Sequence, residues 1–127
     1  MSPTRLSRLE SGFRTVLAFN EAFNRQDVSA MLGLISDDCI VENASPAPDG
    51  TLYEGKDSLA QYWREFFSAS PRVHIHIEEI FGLGERCILR WRYEWEDEMG
   101  EKGYERGVDI FQVRNGLISE KLSYVKG

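Results

Sequence analysis

From Thr4 to Arg25 the apolar residues Leu9, Phe13, Val16, Leu17 and Phe23 recur at helical spacing, with Arg14, Glu21 and Arg25 between them. This period predicts one long amphipathic helix that Gly12 can bend. Asp27 suits the N-cap of a second, short helix holding Val28, Met31, Leu32 and Ile35, and Ser36-Asp37-Asp38 is the expected stop. The period then changes to a short strand, Cys39-Ile40-Val41, followed by Glu42-Asn43, and Ala44 to Leu52, with Pro46, Pro48 and Asp49-Gly50, reads as a loop. A third helix is expected from an Asp57 cap to just before Pro71, with Leu59, Tyr62, Trp63, Phe66 and Phe67 on one face.

Beyond Pro71 the pattern is strand throughout: Val73 to Phe81, Arg86 to Trp95, Tyr104 to Arg114 and Leu117 to Val125. Gly-containing turns separate them, and Asn115-Gly116 has the residue pair that a type I′ hairpin turn requires. The predicted order ααβαββββ gives an α+β fold in which a curved, mostly antiparallel sheet wraps around three N-terminal helices.

Composition narrows this picture. A chain of 127 residues fits one domain, 1–127, and 42% hydrophobic residues supply a substantial core. No repeat or low-complexity stretch marks a linker. The net charge of -6, without a Lys/Arg cluster, argues against a nucleic-acid partner. The N-terminal stretch has no continuous apolar segment of signal-peptide type and nothing reaches membrane-span length, so a cytoplasmic protein without membrane association is expected. Cys39 and Cys87, each within a predicted strand and far apart in sequence, read as core thiols of a reducing compartment, with a disulfide as the minor alternative.

Candidate chemistry centres on Asp109, a carboxylate set between Val108 and Ile110 in an apolar strand. A charge there needs either a pocket in which it acts as acid or base, or an ion-pair partner such as Arg90 or Arg92. Strand parity divides Arg86 to Trp95 into an Ile88/Arg90/Arg92/Glu94 face and a Leu89/Trp91/Tyr93/Trp95 face. If Arg92 and Glu94 line a pocket, the aromatic face lies outside and calls for cover by a second copy of the chain; if the aromatic face is inside, Arg90, Arg92 and Glu94 form a solvated ladder. Asn43 can orient a water or a ligand oxygen or simply form a turn. Asn20, which interrupts the apolar stripe of the first helix, places an amide at a pocket floor or bonds to backbone. His74 and His76, at i, i+2 with Glu78, have a spacing that suits two metal ligands, but no third accompanies them, and they read as an exposed or interfacial strand face; neither metal nor cofactor is expected.

The segments DDCIVEN (Asp37 to Asn43), Tyr53-Glu54-Gly55-Lys56-Asp57 and GVDIFQVRNGLI (Gly107 to Ile118) resemble, in order and spacing, the nuclear transport factor 2-like superfamily. Within it they look like the group of SnoaL-like polyketide cyclases, ketosteroid isomerases and limonene epoxide hydrolases. The resemblance implies a cone whose open end is a mostly apolar ligand pocket. Against the ketosteroid isomerases, Asp109 falls at the donor-Asp position, but Asn43 replaces the base and Phe19 the donor Tyr. An amide cannot abstract a carbon-bound proton, so that mechanism is not expected. Against the epoxide hydrolases, Asn43 matches the water-holding Asn and Arg92-Tyr93-Glu94 the Arg-x-Asp pair, while Val41 and Ser123 stand where a Tyr and a second Asp belong. The polyketide cyclases ask only for one pocket Asp, which Asp109 supplies.

The resulting expectation is a homodimer, joined through the outer sheet face, that binds an apolar or carbonyl-bearing small molecule. Asp109, Arg92, Glu94 and Asn43 are the expected catalytic groups, and Phe19, Asn20, Trp63, Phe67 and Phe111 the expected ligand-contacting groups. Isomerisation, cyclisation, dehydration or hydrolysis without a cofactor are the reaction types in view; a non-catalytic binding or assembly module is the alternative.

Overall fold

A computed structural model describes the backbone of residues 3–127 and the side chains from residue 12 onward. Three helices, α1 (Pro3–Asn24), α2 (Val28–Leu32) and α3 (Lys56–Ala69), accompany six strands: β1 (Ile35–Glu42), β2 (Leu52–Glu54), β3 (Val73–Leu83), β4 (Arg86–Glu96), β5 (Lys102–Arg114) and β6 (Leu117–Val125). The strands form one curved, unclosed sheet in the order β2-β1-β6-β5-β4-β3. Only the β1–β6 pairing is parallel. This is the expected α+β cone, and the first 11 residues' side chains, Leu9 among them, lie outside the described part.

Several boundaries differ from the periodicity. The helix α1 continues through Gly12, and α2 stops at Leu32 with Gly33 as its C-cap. Ile35 therefore opens β1 instead of closing a helix: Leu34 O accepts from Ile118 N, and Ile35 lies level with Ile118 on β6. Half-buried Ser36 and exposed Asp37 and Asp38 belong to that strand, where a partner strand outweighs local turn propensity. Leu52–Glu54, expected as loop and helix approach, is an edge strand on β1. The cap of α3 is Gly55, with φ of 90°, and Asp57 sits in the first turn, where its charge still favours the helix dipole.

The core lies between the concave face of the sheet and α1 with α3, built from Val16, Phe19, Leu59, Trp63, Leu89 and Phe111 among others. Phe19 packs edge-on against both Trp63 (5.5 Å) and Phe111 (6.4 Å). Polar bonds pin α1 in place. Asn24 donates to Ile75 O (3.0 Å) and accepts from Ile75 N (2.8 Å), imitating a neighbouring strand on the open edge of β3, and Thr15 donates to Gly116 O (2.9 Å) at the β5–β6 turn. That turn has positive φ at both Asn115 and Gly116, as a type I′ turn requires.

The Leu89/Trp91/Tyr93/Trp95 side of β4 faces inward. Leu89 and Trp91 are buried, while Arg90 on the opposite side is exposed. Trp91 and Trp95 lie flat across the glycines paired with them on β5: a Cβ on Gly103 would come within 2.4 Å of the Trp95 ring, and one on Gly107 within 2.8 Å of Trp91. Of the two arrangements that parity allows, the aromatic-inward one is therefore adopted, because four large apolar rings and chains bury more surface than an Arg/Glu ladder.

Candidate functional site

The strands β5 and β6 carry the polar centre. Asp109, midway along β5, sits between Leu89 on β4 and Ser123 on β6, and all three share the inner face. Its side chain is 6% exposed, with Oδ2 3.6 Å from Nζ of Lys121, itself 17% exposed. Lys121 Nζ also donates to Ser123 Oγ at 3.1 Å. Asp109 Oδ1 is buried and has no hydrogen-bond partner among the described residues. The expected alternative for Asp109, pairing with Arg90 or Arg92, is thus replaced by a partner from the last strand.

A cavity of about 70 Å³ adjoins this pair, with Phe19 and Asn20 of α1, Asn43 beyond β1, Trp63 of α3, and Asp109, Phe111 and Lys121 of the sheet among its walls. Half-buried Phe23, Tyr62 and Phe66 complete the wall toward the helices. Burial raises the pKa of the Tyr62 phenol, with the neighbouring Asn43 amide only partly offsetting it. Asn20 donates to Ile75 O at 3.4 Å and also lines the cavity.

Six of the nine sequence-nominated residues thus meet at one cavity: Asp109, Asn43, Phe19, Asn20, Trp63 and Phe111. Phe67 does not; it is buried behind the wall against Phe23, with ring centroids 5.0 Å apart. Arg92 and Glu94 are on the other side of the sheet. There Arg92 Nε donates to Glu94 Oε2 (3.3 Å) and its guanidinium lies 3.8 Å over the Tyr104 ring, while Glu94 also meets His76 Nε2. The expectation that Arg92 and Glu94 line the pocket is corrected by this placement: their strand turns its aromatic side inward. Desolvation tends to raise the Glu94 carboxyl, but hydrogen bonds from Arg92 and His76 prevail and hold it below the ordinary range.

Lys121 was not nominated. In SEKLSYV it alternates with apolar positions like a solvent-facing residue, and only its place beside Val41 on the inner face of the β1–β6 pair turns it toward Asp109. Nearby Cys39 is buried, and desolvation, only partly offset by the Lys121 charge, pushes its thiol up to about 12. Cys39 and Cys87 are both free. Among the described residues no group of three or more His, Cys, Asp or Glu side chains converges to hold a metal ion. No described helix is long and apolar enough to cross a membrane.

With this geometry in view, the sequence profile of the SnoaL-like domain matches residues 16–121, from the middle of α1 to Lys121 itself. The chain belongs to the SnoaL-like domain family. A crystal structure of an NTF2-like protein of unknown function from Mesorhizobium loti is 35% identical, with 94% of each chain covered and a TM-score of 0.78. A second NTF2-like protein of unknown function, from Burkholderia pseudomallei, shares the fold at 18% identity, with 91% of each chain covered and a TM-score of 0.80. So does a Mycobacterium tuberculosis protein crystallised in complex with estradiol-17beta-hemisuccinate, at 20% identity, covering 90% of this chain and 92% of that one, with a TM-score of 0.77. Among curated proteins, none matches. In SnoaL-like terms, the cavity beside Asp109 sits between the sheet's concave face and the helices.

Proposed function

We propose that the chain, as one SnoaL-like domain, binds a compact apolar or carbonyl-bearing small molecule in the Asp109 cavity and performs cofactor-free acid/base chemistry on it. The observation that carries this reading is the free oxygen of Asp109. A buried carboxylate oxygen without a donor costs free energy, and an adjoining cavity with otherwise mostly apolar walls is where a ligand supplies the missing contact. A Mycobacterium tuberculosis protein of the same fold was crystallised in complex with estradiol-17beta-hemisuccinate, which supports small-molecule binding as a use of this fold. Asn43 is well placed to orient a ligand oxygen, whereas Arg92 is not. Isomerisation, cyclisation or dehydration fits one carboxylate better than epoxide hydrolysis, for which Val41 and Ser123 lack the required groups.

The test is Asp109→Asn, compared with the parent by NMR titration of ¹⁵N-labelled protein against a panel of small ketones, enones and epoxides. The expected result is ligand-dependent shifts around Asp109, Asn43 and Phe111, with turnover of the responding compound lost in the variant. A panel that shifts no cavity resonance in the parent would sink the reading, and binding without turnover would favour the non-catalytic alternative.

The outer face supports a homodimer. The paired positions Phe81, Ile88, Ile110 and Leu122 form an apolar row across four strands, flanked by Tyr124, with Phe81 46% exposed and Tyr124 52% exposed. Sedimentation of the parent at twice the monomer mass, reverting to monomer in Ile110→Lys, is expected; a monomeric parent refutes it. Two buried free thiols accord with the cytoplasm as its compartment, and an intact, unoxidised pair in protein isolated from cells under alkylating conditions is the corresponding check.

A further inference from the structure

The polar centre of the cavity is a pair, and its second member has a role of its own. Asp109 leaves one oxygen without a donor, and Lys121 leaves donors to spare: of the three N–H bonds of its ammonium, one is directed to Ser123 Oγ, and the 3.6 Å separation from Asp109 Oδ2 is an ion pair longer than a hydrogen bond. Both side chains line the same cavity. An unused acceptor beside an unused charged donor, a few ångströms apart in an apolar enclosure, is complementary to a ligand that presents an acidic hydrogen and an electron-rich oxygen at neighbouring atoms. A carbonyl compound with a hydrogen on its α-carbon has that arrangement.

We propose that Lys121 is a catalytic residue, the electrophile that stabilises an enolate while Asp109 moves the proton. The Asp109 carboxylate takes the α-proton. The C–H bond pair becomes the new C=C bond, the carbonyl π pair moves onto oxygen, and the Lys121 ammonium faces the resulting negative charge. Asp109, now a carboxylic acid, returns a proton to carbon, at the same position for exchange or at a conjugated one for isomerisation, and both groups end as they began. This assigns to Lys121 the oxygen-polarising task for which Arg92 is on the wrong face and the neutral Asn43 amide carries no full charge. It rests on the acid/base reading of the Asp109 cavity and names the substrate class of that site: compact enolisable ketones and aldehydes.

The closing experiment measures α-proton exchange of acetone, butan-2-one and cyclopentanone in D₂O by ¹H NMR. It compares the parent, Asp109→Asn and Lys121→Gln, the last chosen because its amide can still hydrogen-bond Asp109 and keep the fold, as far-UV circular dichroism verifies. The expected outcome is exchange by the parent above the buffer rate, none above it by Asp109→Asn, and a kcat about 100-fold lower for Lys121→Gln with a much smaller change in KM, the loss typical of removing one oxyanion donor. If Lys121→Gln stays within about threefold of the parent while Asp109→Asn is inactive, the role of Lys121 is overturned and the acid/base reading stands. No exchange of any of the three ketones by the parent overturns the enolisation chemistry for both residues. A sodium borohydride-dependent adduct on Lys121, found by mass spectrometry, overturns the ammonium role, because it means the amine attacks the carbonyl and forms an imine.

Discussion

The two faces of the sheet use the same kinds of charged residue to opposite ends. On the convex face, Arg90 with Glu79 (2.9 Å), Arg106 with Glu78 (3.0 Å) and Arg86 with Glu120 (2.7 Å) form a ladder of short, water-exposed pairs. On the concave face there is one described pair, Asp109 with Lys121, longer at 3.6 Å and almost wholly enclosed. Distance alone would rank the ladder above the pair. Solvent reverses that ranking, because water already satisfies the exposed charges, whereas the enclosed ones depend on each other and on whatever enters the cavity. Short geometry outside is therefore solubility and register; loose geometry inside is unused bonding capacity, which is what a binding site needs.

The largest effect should come from splitting the inner pair. Lys121→Met leaves Asp109 enclosed without its cation and should cost about 3–5 kcal/mol in urea unfolding, whereas Asp109→Leu combined with Lys121→Met should recover most of that loss. A single-variant cost below about 1 kcal/mol would mean that water reaches the pair and that the contrast between faces is false. Next in size is the inner aromatic wall. Burial pushes the Tyr93 phenol from its ordinary 10.0 up to about 12, with Tyr62 and Glu105 adding to it. Because the folded value is raised, Tyr93 contributes stability that is fully present below pH 10.0 and is lost as pH climbs through about 12, and tyrosinate absorbance should show a late-titrating tyrosine that Tyr93→Phe removes. If Tyr93→Phe removes a phenol that titrates at the ordinary value and leaves the late step in place, the ring does not face inward. Smallest is Arg90→Gln in the ladder, expected to change stability by about 0–1 kcal/mol and less still in high salt. A larger loss would show that the proposed dimer contact extends from the apolar row over this pair and excludes water from it.

Asp109 was legible because a carboxylate among Val108, Ile110 and Phe111 contradicts its surroundings, and such a contradiction is local. The same holds for Asn20 within an apolar helical stripe, and for Trp63 and Phe111, whose spacing alone marks them as inward. Lys121 was not legible: SEKLSYV is ordinary alternation for a strand with one wet face, and nothing within it says which face is wet. Arg92 and Glu94 were misplaced for the same reason. Parity separated them correctly from Trp91, Tyr93 and Trp95, but the choice of the polar side as inward followed the epoxide hydrolase resemblance and not the greater apolar area of the aromatic side. The extension of β1 back to Ile35 was hidden because its partner, Ile118, lies 83 positions away.

Local chemistry along the chain was thus enough to specify the three helices, the four long strands after Pro71, the hairpin at Asn115-Gly116, the family and the presence of one anomalous carboxylate. Each of these depends on neighbours a few residues apart, through backbone propensity, period and turn geometry. The inside of the sheet, the pairing of Asp109 with Lys121 and the cavity they share arise from contacts between segments far apart in sequence. Alternation in a strand is symmetric between its two faces, and the packing of α3 and of α1, held to β3 by Asn24 and to the β5–β6 turn by Thr15, makes one of those faces the interior.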